Sequence, residues 1–513
     1  MGNAMQARDG YDVALVGFGP SGAVAAALLG GMGFRVWVGD RLHGVYDKPR
    51  AIALDHEILR VFQQIGVIDA VMPHLEPFTP SEYFGVDGQL IKRMTMIAPP
   101  YPLGYTPSNV FTQPPVEAAL RERVAQLSNV VVELGVEVNG LVQDAEGATL
   151  QLQREDGSPA SVRARYVIGC DGASSTVRRL TGIALDDLVF DEPWLVVDVL
   201  VNEAGLKKLP TTSVQYCNPE RPTSFVICPN NHRRWEISLK PGEDPKEVAT
   251  PEGAWRLLAP WIGPQDGELW RQASYRFHAL VAERWRVDRV FVAGDAAHQQ
   301  PPFLGQGMCQ GVRDVANLCW KLAAVLRGDV QGQAAQALLD SYGEERKAHV
   351  RELTSRIKGI GAVICERDPE RARQRDAKLL ADAGGVVKDT PRQDVMPKLE
   401  GGLLSSTPHP VVGTLFPQPR VMRDGQALLL DEVTGTGWRL ALQADIPAPA
   451  ECDGLTLIRV DGDLSETEGV LLDWMQRHRC AAVLVRPDHC VFGAAMDAPQ
   501  LDTLMNEWRS RLT

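Results

Sequence analysis

The chain has 513 residues, 44% hydrophobic and 23% charged, a composition that suits a globular protein of two or three domains. Its formal net charge of -12 and lack of any basic run argue against nucleic acid as a partner, because phosphate binding needs clustered Lys and Arg. Nine cysteines without a C-x-x-C pair argue against a zinc site, a dithiol redox centre and a disulfide framework, and no window is apolar for long enough to cross a bilayer, so a reducing cytoplasm fits.

The first ten residues lack the apolar core of a signal peptide and read as a disordered lead or an expression remnant. Residues 11–16 form a strand-like run into Gly17-Phe18-Gly19-Pro20-Ser21-Gly22 and a small-residue helix over 23–32. This is G-x-G-x-x-G in the context it requires. Gly17 makes the turn, Gly19 admits a pyrophosphate, Gly22 lets helix pack on strand, and the helix amino end faces the phosphates. The next strand, 34–38, runs out to Asp40 and Arg41, and Asp40 stands 18 residues past Gly22, where an acid takes ribose hydroxyls. The motif alone does not separate FAD from NAD.

Asp47-Lys48-Pro49-Arg50-Ala51-Ile52 precedes an amphipathic helix near 56–65, and Phe111-Thr112-Gln113-Pro114 opens another over 116–127. Residues 166–169 read as a buried strand ending in Cys170-Asp171-Gly172, with Arg178 downstream. From about 190 to 278 the pattern changes to successive strands, at 194–201, 213–217, 224–228, 234–240 and 270–278, as expected of an inserted sheet domain. In the last of these, alternation puts Gln272, Ser274, Arg276 and His278 on one face and Tyr275 and Phe277 on the other, without deciding which lines a pocket.

Residues 290–321 carry the densest signal. A buried strand at 290–293 turns at Gly294 and places Asp295 at a strand's carboxyl end, where doubly wound sheets bind ligands, so Asp295 reads as a hydroxyl acceptor. Pro301 and Pro302 stiffen the next turn, and Gly305 and Gly307 let backbone amides approach a flat ligand. Apolar residues at helical spacing follow from Gly307 to about Arg327. The helix amino end carries about half a positive charge, worth up to about 2 kcal/mol to a partly buried anion such as a reduced flavin. After long helices over 333–365, charged residues thicken between 366 and 389, and the proline-punctuated stretch 391–419 reads as a linker. Beyond it, 427–431, 454–460 and 481–485 with helices at 467–478 and 500–512 look βαβ-like.

Gly294-Asp295-Ala296-Ala297-His298, Pro301-Pro302-Phe303, Gly305-Gln306-Gly307-Met308 and residues 314–322 resemble the flavin-dependent aromatic hydroxylases, the single-component monooxygenases that use FAD. Pro49-Arg50-Ala51-Ile52, residues 194–198, Pro219-Glu220-Arg221-Pro222 and Arg233-Arg234-Trp235-Glu236 resemble their 3-(3-hydroxyphenyl)propionate hydroxylase subgroup more than the wider family. The resemblance implies an α/β fold. It would have a Rossmann-like FAD-binding domain (1–75, 105–188 and 283–365) and an inserted β-sheet substrate domain (76–104 and 189–282). A helical linker segment (366–409) and a thioredoxin-like carboxy-terminal domain (410–513) for support or dimer contact would follow.

It also implies noncovalent FAD held by Gly17, Gly19, Ser21, Gly22, Asp40, Arg41, Arg50, Gln113, Asp171, Arg178, Gly294, Asp295, Pro302, Gly305, Gln306, Gly307 and Met308. Arg50 would reach the phosphates, Gln113 the flavin, and Asp171 with Arg178 would serve both FAD and nicotinamide. The implied reaction takes hydride from NADH or NADPH, adds O2 to give a flavin hydroperoxide, and hydroxylates a phenol ortho to its hydroxyl, with 3-(3-hydroxyphenyl)propionate or a similar phenolic acid expected. His298, Pro302 and Tyr275 are the catalytic candidates, and a phenol-deprotonating base is left open among Tyr105, Tyr216, Tyr275, His278 and His298. Tyr216, Arg234, Arg276 and His278 are the substrate candidates, with Arg221, Arg234 and Arg276 as cations for an acidic group. Leu304 stands where Gly or Ala is common in the family and Cys309 where Asn is common. A cytoplasmic homodimer without metal, membrane or nucleic acid is expected. The alternatives are a polyketide-tailoring or Baeyer–Villiger oxygenase and a non-catalytic FAD-binding scaffold.

Overall fold

The computed structural model describes residues 10–449, 453–460 and 465–513; the expected lead falls on 1–9, outside the described residues except for Gly10. Five parallel strands make the first sheet, in the order Val290–Val292, Pro159–Gly169, Tyr11–Val16, Val36–Asp40, Val130–Leu134. The apolar runs of the first four are buried, as central parallel strands require, while Val130–Leu134 at the edge leaves Val131 and Val132 exposed. Below them runs the helix Pro20–Gly31, whose small residues are buried from Gly22 to Gly30 without a polar face. It packs against the helices Gln113–Ala125 and Gly307–Arg327. The antiparallel strands Val136–Gln143 and Ala148–Arg154 extend the sheet beside Pro159–Gly169, a meander that the sequence reading did not place.

A nine-stranded sheet covers the carboxyl ends of those parallel strands. Its order is His298–Gln299, Gly267–Ala282, Leu185–Val201, His232–Ser238, Thr223–Ile227, Ser213–Tyr216, Ser81–Phe84, Leu90–Thr95 and Asp389–Pro391. All five strands expected between 190 and 278 are present, and two run longer than their sequence signal. The sheet continues through Ser81–Phe84 and Leu90–Thr95, and the stretch read as linker adds Asp389–Pro391 at its edge, parallel to Leu90–Thr95.

The carboxy-terminal unit is a four-stranded mixed sheet, Leu455–Val460, Trp438–Gln443, Ala482–Val485, Val491–Ala495, flanked by helices Val470–Arg477 and Ala498–Leu512. Trp320 on the helix Gly307–Arg327 meets Trp438 edge-on, with ring centroids 5.8 Å apart. Buried ions bolt this unit to the long helix Gly332–Cys365. Arg486 pairs with Glu345 at 2.7 Å, and Glu345 also accepts from Lys321 at 2.9 Å and Asn317 at 2.7 Å. Farther along the seam, Arg60 forks onto Asp431 at 2.6 and 2.9 Å. Burial works against the Glu345 carboxylate, yet Arg486 and Lys321 hold its pKa far below the usual range. Removing one member of such a set strands the others, at about 3–5 kcal/mol. Glu345→Gln is therefore expected to lower the thermal midpoint of the whole protein. A melt in which only the carboxy-terminal unit loosens would show the seam to be weaker than this.

Candidate active site

Four parallel strands deliver their carboxyl ends to one cleft of about 660 Å³: Val16 and Gly17, Gly39 and Asp40, Cys170 and Asp171, Ala293 and Asp295. Glycine is required at the first turn. Gly17 has φ +100°, and a Cβ on Gly22 would overlap the Gly17 carbonyl oxygen. A Cβ on Gly19 or Gly307 would meet nothing within 4 Å, so their backbones lie bare to the cleft. The helices that start there, Pro20–Gly31 and Gly307–Arg327, have no side-chain cap at their amino ends, which leaves their first N–H groups for an anion. They approach closely because Gly294 (φ +61°) and Gly311 both abut Ser21.

Asp40 receives the Phe18 N–H at 2.6 Å and the Leu42 N–H at 2.8 Å, which ties the glycine loop to the next strand and leaves lone pairs for a hydroxyl. Asp295 opens to the cleft but is walled in elsewhere, and this desolvation raises its pKa against the pull of His298 and Arg50. Gln113 accepts the Arg50 and Ala51 N–H groups at 3.1 and 2.6 Å and donates to Glu117. It thus clamps the loop that carries Arg50 into the cleft. Asp171 caps the short helix Thr176–Leu180 through the Thr176 and Val177 N–H groups, while Arg178 joins the Ala296 and Ala173 carbonyls.

Of the expected cofactor residues, Gly17, Gly19, Ser21, Asp40, Arg41, Arg50, Gln113, Asp171, Asp295, Pro302, Gly305, Gly307 and Met308 line the cleft. Gly22, Gly294 and Arg178 lie behind it, and the Gln306 side chain turns away to accept from Arg313 at 2.8 Å.

The substrate and catalytic candidates fare differently. Pro302 lines the cleft, but His298 is buried away from it, stacked on Trp285 and bonded to Asp314 at 2.7 Å. Tyr216 packs on Trp261 across the sheet, Tyr105 bonds Gln63, and Arg221 pairs with Glu243. Arg276 pairs with Asp191 on the outer face, where His278 also meets Asp191 at 4.0 Å. Tyr275 shares the face of Phe277, and its hydroxyl meets Arg271. Arg234 does reach the cleft but forks onto Asp198 at 2.7 and 3.0 Å and donates to the Pro49 and Arg50 carbonyls. Its charge is spent on holding that loop.

The wall facing the helix Gly307–Arg327 is made instead by Phe78, Ser81, Gln215, Ser224, Val226, Glu236, Phe303, Leu304 and Arg392. Period-two alternation on 232–238 would have put Glu236 beside Arg234; nothing in the proline-rich segment signalled Arg392. That buried guanidinium donates to the Leu304 carbonyl at 2.9 Å and lies 4.2 Å over the Phe78 ring. Cys309, the other departure from the family pattern, is buried against the Ala53 carbonyl and does not line the cleft.

Comparison with known proteins agrees with this geometry. A family model described as an FAD binding domain matches residues 10–357, and one described as the HcaD C-terminal domain matches 413–511. The chain is 36% identical to a probable NADH-specific resorcinol 4-hydroxylase of Rhodococcus jostii (strain RHA1), over 98% of this chain and 95% of that one. It is 35% identical to a 3-(3-hydroxy-phenyl)propionate/3-hydroxycinnamic acid hydroxylase of Mycobacterium sp. (strain JLS), over 96% and 91%. The solved structure of the flavin-dependent monooxygenase PieE, in complex with FAD and substrate, superposes with a TM-score of 0.82 at 23% identity, over 99% of this chain and 100% of that one. The chain belongs to the FAD-binding family and is a single-component, FAD-dependent aromatic hydroxylase. It is an enzyme that uses FAD with NAD(P)H.

The cleft fits that cofactor on its own terms, with bare glycine backbone and an uncapped helix at each half and a carboxylate at three of the four strand ends. Asp295→Ala is expected to weaken FAD binding by about 1–3 kcal/mol, the cost of leaving a cofactor hydroxyl unpaired. Fluorescence titration of apoprotein with FAD measures this, and an unchanged Kd would remove Asp295 from the site.

Proposed function

We propose that the enzyme hydroxylates a single-ring phenol ortho to its existing hydroxyl, with NADH as reductant. The observation that carries this reading is one cleft continuous from the two uncapped helix ends to a side pocket walled by Phe78, Val226, Phe303 and Arg392. A pocket of apolar walls with few convergent polar groups suits one aromatic ring. The relatives' names support the same class, and the Rhodococcus name supports NADH.

In this reading the parallel-sheet region is a Rossmann-like FAD domain over 1–75, 105–188 and 283–365, and the nine-stranded sheet region is the substrate domain. The residues from 410 form a thioredoxin-like unit that serves as support, which the buried Glu345 and Asp431 pairs favour. The protein is taken as a cytoplasmic homodimer; the eight described cysteines, all free, are consistent with a reducing compartment.

The chemistry supplied by bound FAD is hydride acceptance from NAD(P)H and activation of O2. The chain's own part is placement. The amino-terminal N–H groups at Gly19 and Gly307 hold the anionic parts of the cofactor, and Asp40 and Asp295 accept its hydroxyls. Arg50 reaches the phosphates from the loop that Gln113 and Arg234 fix. Phe78, Val226 and Phe303 keep water from the ring. Arg392, the buried cation at the far wall, pairs with an acidic side chain or a second ring hydroxyl.

The test is NADH oxidation over a set of phenols, with product and peroxide both measured. Resorcinol or 3-(3-hydroxyphenyl)propionate is expected to speed oxidation and yield product with little peroxide; stimulation with peroxide alone would reduce them to effectors. Arg392→Met is expected to raise KM for the phenolic acid about 10- to 100-fold, as for loss of a charged hydrogen bond, and to change KM for resorcinol less. Equal losses on both substrates would take the carboxylate-pairing role from Arg392.

A further inference from the structure

Across the wall of the side pocket runs a row of three polar side chains on neighbouring strands. Gln215 pairs with Ser224, and Ser224 pairs with Glu236, in register on Ser213–Tyr216, Thr223–Ile227 and His232–Ser238. All three line the cleft. The Ser224 hydroxyl donates to the Gln215 side-chain carbonyl at 2.5 Å. Glu236 ends the row. It is 7% exposed, and that exposure opens to the cleft. Its cross-strand neighbour on the other side is Val196, which offers no donor.

The ionisable groups around it are Arg234 on its own strand, Cys228 just after the neighbouring strand Thr223–Ile227, Asp198 on Leu185–Val201 and Arg271 on Gly267–Ala282. They act on it through space rather than by hydrogen bond. Both arginines are already engaged, Arg234 with Asp198 and the Pro49 and Arg50 carbonyls, Arg271 with the Pro49 carbonyl at 2.6 Å. Among the described residues, then, this wall holds a buried carboxylate with open acceptor positions, aimed at the space assigned to the phenol.

We infer that Glu236 is the base that takes the proton from the substrate's ring hydroxyl, an assignment that rests on the phenol-hydroxylase reading above. In that step the phenol O–H bond breaks and an O–H bond forms on the Glu236 carboxylate. The electron pair stays on the phenol oxygen and enriches the ortho ring carbon for the oxygen transfer of the enzyme's established reaction, in which the new C–O bond forms as the O–O bond breaks, the second oxygen leaves as water and the ring carbon loses its hydrogen as a proton. Ser224, with its hydrogen engaged by Gln215, has none to offer Glu236, so the carboxylate keeps its acceptor positions open to the ring hydroxyl. The electrostatics suit the role. Desolvation, opposed by Arg234 and aided by Asp198, pushes the Glu236 pKa up to about 7, so the carboxylate is basic enough to accept a shared proton and is still largely ionised in mildly alkaline solution. None of Tyr105, Tyr216, Tyr275, His278 and His298 lines the cleft.

The test uses the FAD-loaded enzyme with resorcinol, following product formation from pH 5.5 to 9. In the wild type the rate is expected to rise with pH through an inflection near 7, because the base must be ionised. Glu236→Gln is expected to lose the inflection and about a hundredfold in hydroxylation rate, with reducing equivalents diverted to peroxide. Glu236→Asp, which keeps the carboxyl, is expected to keep an inflection and recover part of the rate. A visible-absorbing nitrophenol, titrated into each holoenzyme, reports binding and ionisation without turnover, and the Gln variant is expected to shift the pH at which the bound probe ionises. A Gln variant with wild-type pH profile and product yield would overturn the assignment. So would Gln and Asp variants equally impaired with the inflection intact, since that is how a purely structural carboxylate behaves. If the wild type hydroxylates no phenol at all, the phenol reading itself fails; if it does and only the Glu236 variants disappoint, the failure is confined to this residue.

Discussion

Backbone packed on backbone at the first strand-to-helix turn is the constraint on which this site depends. Gly22 sits against the Gly17 carbonyl with no room for a side chain, and on the other side Gly294 and Gly311 close on Ser21. These approaches set two buried helices side by side with their amino ends at one opening. Two partial positive charges then face the same cleft, and neither is neutralised by a capping side chain. A dinucleotide with a central pyrophosphate and an anionic reduced ring matches that arrangement at both ends.

The sheet wall of the cleft, which we propose faces the substrate, is stiffened from outside the cleft. Asp198, held ionised against its burial by Arg234 and His232, anchors Arg234, and Arg234 in turn holds the Pro49 and Arg50 carbonyls. One buried ion pair thus fixes the loop that lines the cleft beside the sheet. The carboxy-terminal unit acts at longer range, because its Arg486 completes the Glu345 cluster on the helix Gly332–Cys365. The segment between them brings Arg392 to the cleft, so the region after 366 contributes to the cleft wall.

Much of the cofactor half was legible in the sequence because its chemistry is local. Gly17 to Gly22, Asp40, and Asp295 to Gly307 each announce a turn and a helix start within a few residues, and most of them line the cleft. The substrate half was not legible in that way. Tyr216, Arg276 and His278 have the right chemistry, but Tyr216 and Arg276 are placed across the sheet from the cleft or on its outer face, and His278 meets the same outer Asp191. Which face of a half-buried strand looks inward is set by what packs on it, and period two alone leaves that choice open. Arg392 was hidden for another reason. Its place depends on Asp389–Pro391 joining Leu90–Thr95 from nearly 300 residues away, a pairing with no local signature.

The measurement that bears most directly on the account is a single turnover with labelled dioxygen. Holoenzyme reduced by NADH with resorcinol bound, then exposed to ¹⁸O₂, should yield a triol carrying one ¹⁸O atom on the ring carbon ortho to an original hydroxyl. Unlabelled product, label at any other ring position, or oxygen inserted into a carbon–carbon bond of a ketone substrate in preference to the phenol would contradict it.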